Sequence, residues 1–281
     1  MIRFDGQVVL VTGAGRGLGR AYAHVLASLG AQVVVHDAGV ARDGTGRDPS
    51  VADAVVREIQ EAGGQAVAAY EDLSSREACE ALIARTWERF GRLDALVNNA
   101  GLVRYTSLEA TDAPGWESLL RVNVEAPFWL CRAAMPLMRQ QGGGRIVLTV
   151  SGHGLYNTGA TDLTAYSVTK AAQFGLMNAL AAEGAPASIR VNAISPVAAT
   201  RIYRATVAPD AFRPEQVAPG VAYLASAACG HSGVVLRAAN GTFSVGRYIV
   251  TGGVNFGLQP VTPDAIAERW EEITSGLHEP D

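Results

Sequence analysis

The stretch from Val8 to Gly19, VVLVTGAGRGLG, constrains this chain more than any other. It opens with Val8-Val9-Leu10-Val11, an apolar run too short for a helix and rich in β-branched residues. Such a run reads as a strand buried on both faces. Thr12 and four glycines, Gly13, Gly15, Gly17 and Gly19, follow without interruption, and residues 21–29 are strongly helix-forming. A strand that passes through a glycine turn into a helix N-terminus is the setting in which a dinucleotide pyrophosphate is held. The phosphates are bulky and charged. They reach the free N–H groups and the positive end of the helix only where no Cβ stands in the way.

The segments that follow fit this plan. Gln32-Val33-Val34-Val35-His36-Asp37 is a second buried strand ending in an acid. Asp37 lies about twenty residues past the glycine turn, where a carboxylate can accept both hydrogen bonds of an adenosine ribose. A 2′-phosphate there would meet its charge, so Asp37 favours NAD over NADP. Residues 38–49 are a long polar, glycine-rich loop. Ser50 is expected to cap a helix through residue 62, ended by Gly63-Gly64. Further strands are expected at 65–69, 95–98, 144–151 and 189–194. Helices are expected from Ser74 or Ser75 to 90, around 116–128 with bends near Pro127 and Pro136, at 166–183, and at 217–228. Ser195-Pro196 opens a looser stretch to Gly220, and the last strand is placed at 247–251. Thr262-Pro263-Asp264 starts a terminal amphipathic helix through Thr274. Strands alternating with helices give an α/β fold: a single Rossmann-like, doubly wound parallel sheet with helices on both faces. Residues 1–281 then form one domain, with 263–275 a C-terminal helical extension.

Composition excludes other classes. With 48% hydrophobic and 18% charged residues the chain has the make-up of an α/β enzyme with a substantial core. A net charge of −4 and the lack of any basic run argue against nucleic acid and membrane as partners. Cys79, Cys131 and Cys229 are scattered, with no CxxC or Cys/His cluster, so neither a disulfide framework nor a metal site is expected. Free thiols in a reducing compartment are the reading. No signal-peptide core precedes the first strand, Glu279-Pro280-Asp281 is no targeting signal, and no apolar run reaches membrane-spanning length. The expected location is cytoplasmic.

Three motifs carry a resemblance. Thr12 to Gly19, Asn98-Asn99-Ala100-Gly101 and Tyr166-Ser167-Val168-Thr169-Lys170 resemble the TGxxxGxG, NNAG and YxxxK motifs of short-chain dehydrogenases/reductases, in that family's order. The likeness runs from about Phe4 to Gly253. It implies a nicotinamide cofactor bordered by Gly13, Arg16, Gly17, Leu18, Gly19, Asp37, Asp72, Leu73, Asn99, Ala100, Gly101, Tyr166, Lys170, Pro196 and Thr200. Within that set, Asp72-Leu73 is similar to the family's acid–apolar pair beside the adenine, and Thr200 to the hydroxyl that meets the carboxamide. Asn98 to Gly101 would support the sheet. Arg16 resembles the basic residue that NADP-using relatives place near the extra phosphate. Asp37 is weighed above it, so NAD is the expected cofactor and NADP the alternative. The implied catalytic set is Asn123, Ser151, Tyr166 and Lys170. Asn123 would hold a water against the lysine, and Ser151 would hydrogen-bond the substrate oxygen. The resemblance also implies a homo-tetramer or homo-dimer built through helices at 116–140 and 166–183.

Tyr166 and Lys170 stand one helical turn apart on one face. A free phenol titrates near pH 10, and a nearby ammonium, with an oxidised nicotinamide, would favour the phenolate. Lowering it by roughly two to three pH units needs about 3–4 kcal/mol, the order of energy that one desolvated charge a few ångströms away supplies. Tyr166 would then exchange a proton with an alcohol or carbonyl oxygen as a hydride moves.

Two departures from the family pattern stand out. Ser151 precedes Tyr166 by fifteen residues, a longer gap than usual, read as an insertion in 152–165 that reshapes the substrate pocket. His153 within it stands where relatives carry small residues, and is read as a solvated loop histidine ahead of a substrate contact. Pro196-Val197 stands where Pro-Gly is common. Residues 4–37, the loop 38–49, residues 145–156 and Thr262-Pro263-Asp264…Trp270 resemble one subgroup: the dehydrogenase part of multifunctional enzyme type 2 (17β-hydroxysteroid dehydrogenase type 4) and its bacterial relatives, which act on 3-hydroxyacyl-CoA thioesters and some steroids. The expected function is NAD-dependent hydride transfer to or from a secondary alcohol or ketone of that kind. The alternatives are an NADPH-dependent carbonyl reductase in a biosynthetic pathway and a non-catalytic NAD-binding regulator; the presence of both Tyr166 and Lys170 speaks against the last.

Overall fold

The β-branched runs form a sheet around β1 (Val8–Thr12), which is buried along its whole length because it is flanked on both edges and covered on both faces. The computed structural model describes residues 1–42, 44–201, 208, 210–248, 250–258 and 260–276. Residues 202–207 and 209 of the looser stretch, Ile249 of the expected last strand, and Glu279-Pro280-Asp281 lie outside them. The chain divides into one unit, Met1–Val245, and a second, Gly246–Asp281.

The other strands are β2 (Gln32–His36), β3 (Gln65–Ala69), β4 (Ala95–Asn98), β5 (Gly144–Thr149), β6 (Ile189–Val197), β7 (Val235–Ala239) and β8 (Thr242–Gly246). Their order is β3-β2-β1-β4-β5-β6-β7-β8, and β1 to β7 run parallel. β8 follows the two-residue turn Asn240-Gly241, both residues at positive φ, a link that only antiparallel neighbours can use.

Alternation along β1 sorts the helices. Val9 and Val11 pack with Tyr22 and Leu26 of α1 (Gly17–Ser28), Val55 and Ile59 of α2 (Ser50–Glu61), and Val221 of α7 (Ala218–Ala225). Val8 and Leu10 face the other layer, with Leu82 and Ile83 of α3 (Arg76–Phe90), Leu130 and Met138 of α5 (Ala126–Gln140), and Met177 of α6 (Thr164–Gly184). The winding direction reverses between β1 and β4. At that reversal the loops at the strand C-terminal ends diverge and leave a crevice.

Several boundaries differ from the sequence reading. Ser50 does not cap α2. The Asp48 carboxylate does, accepting from Ser50 N at 3.0 Å and from Ser50 Oγ at 2.5 Å. The helix expected at 116–128 is part of a longer one: α4 (Ala113–Leu120), a π-helical turn Arg121–Glu125, then α5. Pro127 causes no break, because it sits at the start of α5, and the irregularity falls at Asn123 instead. β6 continues regularly through Pro196 to Val197. Its pairing with β5 ends at Ile194, so the missing Pro196 N–H deprives no strand of a bond. The strand that closes the parallel set is β7, not 247–251, whose described residues lie outside any strand. In the C-terminal unit the expected long helix is two short pieces, α8 (Pro263–Glu268) and α9 (Trp270–Ile273), interrupted at Arg269, with Thr262 Oγ1 capping Ala265 N at 3.2 Å.

Candidate active site

The glycine turn is closed from below by Asn99. Its Nδ2 donates to Thr12 O and Gly13 O, each at 3.0 Å, while Asn99 N and Ala100 N donate to Thr12 Oγ1 at 3.0 and 3.1 Å. Gly13 (φ +62°) and Gly17 (φ +52°) hold left-handed backbone. A Cβ at Gly19 would lie 2.1 Å from Gly13 O. The N-terminus of α1 has no side-chain cap and no acid in its first turn. It is a bare set of N–H donors at the positive end of a three-turn helix, the setting that suits a pyrophosphate. Thr200 is also drawn in: a Cβ at Gly17 would sit 3.1 Å from its methyl group. Pro196 lies on the same approach, near the end of β6.

Asp37 follows β2 and turns back to this loop, accepting from Gly15 N at 2.9 Å and Gly39 N at 2.8 Å. Arg16 does not reach Asp37. Its Nη1 donates to Val40 O at 3.1 Å, and Arg201 Nη1 donates to the same carbonyl at 3.1 Å. Asp72 is held by Ser74 N (3.0 Å) and by Arg47 of the long loop (2.9 Å), while Leu73 beside it is buried. Arg47, from the loop that follows Asp37, therefore reaches Asp72, where an adenosine would lie. Arg47 was not foreseen, because a charged loop residue carries no sign of its partner in the sequence.

At the far end of the crevice, Ser151 continues the line of β5 in extended backbone and lies near enough to Tyr166 of α6 to favour the ionised phenol. Lys170, one turn on, lies with its Nζ 5.8 Å from the Tyr166 ring centre and donates to Thr149 O at 2.7 Å. Burial pulls the lysine down to about 8. The phenol moves the other way: burial pushes Tyr166 up to about 12, with Ser151 lowering it and Tyr105 raising it. In the protein alone, burial outweighs the factors that favour the phenolate. Desolvation dominates, and the ammonium points to a carbonyl.

Asn123, on the π-helical turn, is fully buried. Its side chain accepts from Leu102 N (2.8 Å) and donates to Leu102 O (2.9 Å) and Thr169 Oγ1 (3.0 Å), and its carbonyl accepts from Gln173 (2.6 Å). The turn is thus clamped to α6 and to the strand-end loop, with the Asn123 side chain fully engaged. A Cβ at Gly101 would lie 3.2 Å from Asn123 Oδ1 and 3.5 Å from Lys170 Nζ, so these three residues meet. Thr169 and Gln173 share the helical stripe of Tyr166, a spacing that could have flagged them. The Thr149 carbonyl leaves no trace in a sequence. Among the described residues, no group of three or more His, Cys, Asp or Glu is placed to hold a metal ion, and no helix is long and apolar enough to cross a membrane.

The pattern of one family, short chain dehydrogenase, matches residues 7–208. A short-chain type dehydrogenase/reductase of Mycobacterium tuberculosis is 39% identical over 95% of this chain and 94% of its own length. The mouse peroxisomal multifunctional enzyme type 2 is 41% identical over 97% of this chain. The chain spans 37% of that relative's length. A crystal structure of a short chain dehydrogenase from Mycobacterium avium superposes with a TM-score of 0.84 at 35% identity, covering 99% of this chain and 97% of the other. Two further solved structures carry cofactors. A metagenomic short-chain oxidoreductase in complex with NADP has a TM-score of 0.70 at 36% identity, covering 83% of this chain and 98% of its own. A 7α-hydroxysteroid dehydrogenase with NADH and 7-oxo glycochenodeoxycholic acid has a TM-score of 0.75 at 30% identity, covering 86% and 95%.

Proposed function

The chain belongs to the short-chain dehydrogenase family and is an oxidoreductase, and from that premise we propose that it is an NAD-dependent dehydrogenase of 3-hydroxyacyl thioesters or closely similar secondary alcohols. The observation that carries the reading is the convergence of Ser151, Tyr166 and Lys170 at the C-terminal end of β5, across the crevice from the bare glycine-lined end of α1.

A nicotinamide cofactor fits the residues present, and when bound it supplies the hydride acceptor or donor. Gly13, Gly15, Gly17 and Gly19 would leave room for its pyrophosphate, with the first N–H groups of α1 as donors. Asp37 would take the ribose hydroxyls. Its carboxylate at that position disfavours an added phosphate, which supports NAD. NADP stays the second reading, favoured by Arg16 and Arg201, which share the Val40 carbonyl nearby. Ser151 Oγ would bind the substrate oxygen and Tyr166 Oη would give or take the proton on it. At about 12 the phenol is held protonated, the form needed to protonate a carbonyl oxygen. Drawing a proton from an alcohol requires positive charge beside it, at about 1.4 kcal/mol for each pH unit of lowering. Lys170, kept near the ring by Thr149 O, supplies part of that charge while protonated.

The substrate class draws on the relatives named as multifunctional enzymes type 2. The compartment proposed is the cytoplasm, consistent with three buried free cysteines, and the assembly a homo-dimer or homo-tetramer. The test follows NADH formation from NAD with 3-hydroxyacyl-CoA esters, hydroxysteroids and simple secondary alcohols, with Tyr166→Phe as the comparison. Turnover of the thioesters that falls by about 10²–10⁴-fold in Tyr166→Phe is expected. Full activity in that variant would overturn the assignment of Tyr166.

A further inference from the structure

We propose that His153 is a specificity-determining residue, whose Nε2–H donates a hydrogen bond to a second oxygen of the substrate, beyond the one that Ser151 and Tyr166 hold. The proposal rests on the oxidoreductase reading above and narrows its substrate class to compounds with a carbonyl two carbons from the reacting one.

His153 is held by several separate contacts. It lies in a tight 3-10 turn, Gly152–Gly154, directly after Ser151, and its own N–H donates to Ser151 Oγ at 3.3 Å. The turn presses on α6: a Cβ at Gly154 would lie 2.6 Å from Ala171 N. On its other side, a Cβ at Gly152 would lie 2.9 Å from Tyr156 Oη, and that hydroxyl is fixed by Arg237 at 2.9 Å. The imidazole meets the Tyr166 ring edge-on, with ring centres 6.5 Å apart. This is a half-buried, anchored ring beside the proton-transferring hydroxyl, not the solvated loop histidine that the sequence favoured.

The hydrogen bonds show which ring nitrogen is engaged and which is left for a substrate. Nδ1 lies 2.7 Å from Thr158 Oγ1. In this reading Thr158 Oγ1, which also accepts from Ala160 N at 3.4 Å, gives its hydrogen to Nδ1. Burial lowers the histidine and keeps it neutral at pH 7. A neutral ring that accepts at Nδ1 carries its hydrogen at Nε2, and Nε2 has no partner among the described residues. Thr158 belongs to the lengthened segment between Ser151 and Tyr166, so that insertion has an evident use: it brings a hydroxyl to orient this ring. A thioester carbonyl stands two carbons from the reacting carbon of a 3-oxoacyl or 3-hydroxyacyl group, within reach of a ring that touches Tyr166. A simple ketone offers nothing there and leaves the donor unpaired.

The test compares reduction of a 3-oxoacyl N-acetylcysteamine thioester with that of a ketone of equal length lacking the thioester carbonyl, with NADH and with NADPH. Each is run on the wild type, His153→Phe, His153→Ala and His153→Gln. The ratio of kcat/KM values, thioester to ketone, is expected to be about tenfold or more in the wild type. It should fall towards one in the Phe and Ala variants, chiefly through KM, and recover partly in His153→Gln, which restores an N–H. Wild-type turnover with a ratio near one would overturn the role of His153 alone, as would a ratio unchanged in whichever of the Phe and Ala variants folds. No turnover of either compound by the wild type would overturn the 3-hydroxyacyl reading above, and this proposal with it.

Discussion

Replacing Lys170 by methionine should abolish turnover and yet stabilise the protein. The side chain is 4% exposed and sits among α6, β5 and the π-helical turn. Holding an ammonium there lowers it from 10.5 to about 8, a cost of about 3 kcal/mol at neutral pH. Methionine has similar length and no charge to desolvate. It gives up the bond to Thr149 O, worth about 1 kcal/mol, so the net gain is about 2 kcal/mol at pH 7, or roughly 4 °C in Tm. The pH dependence makes the test specific. A lysine that binds its proton less tightly when folded destabilises fully below about 8, and the penalty fades as pH rises toward 10.5. The wild type should therefore gain about 2 kcal/mol on Lys170→Met between pH 7 and 9.5, closing the gap. Urea unfolding at both pH values, at equal protein concentration and without cofactor, measures it. A variant less stable than the wild type at pH 7, or a difference that does not change with pH, would refute the account of Lys170 as a destabilising group kept for its chemistry.

Two other perturbations follow from the same geometry. Gly19→Ala forces a Cβ to within 2.1 Å of Gly13 O, a backbone atom that cannot move away cheaply; a loss of about 1–3 kcal/mol in unfolding free energy and weaker nucleotide binding by fluorescence titration are expected, whereas Gly142→Ala, with no atom within 4 Å, should show only the strain of its positive φ. Asp37→Ala removes the acceptor of Gly15 N and Gly39 N together with the charge that opposes a 2′-phosphate; the preference for NADH over NADPH in binding should fall by about tenfold or more, equivalent to about 1.4 kcal/mol.

The parts of this protein that were legible in the sequence are those that depend on neighbours along the chain. Val8 to Val11 could only be a strand buried on both faces, and the four glycines could only be a turn that lets backbone approach backbone. Tyr166 and Lys170 had to share a helical face. The strand β7 escaped because Arg237 interrupts its short apolar run near an edge, and the extra length of β6 escaped because Pro196 usually ends a strand. It does not do so here, since β5 stops first and asks for no bond.

What the sequence alone determined is therefore the α/β plan and the glycine-lined end of α1, with Ser151, Tyr166 and Lys170 as the candidates for the chemistry. Only the tertiary structure decided how those side chains are poised. It set Lys170 against the Thr149 carbonyl and buried Tyr166 deeply enough that desolvation raises the free phenol. It closed Asn123 into a clamp between Leu102 and Thr169, drew Arg47 to Asp72, and turned His153 onto Tyr166. The reason is physical. Secondary structure follows from patterns a few residues long, whereas burial, charge and hydrogen-bond partners at a site are set by residues far apart in the chain that meet only when the sheet is assembled.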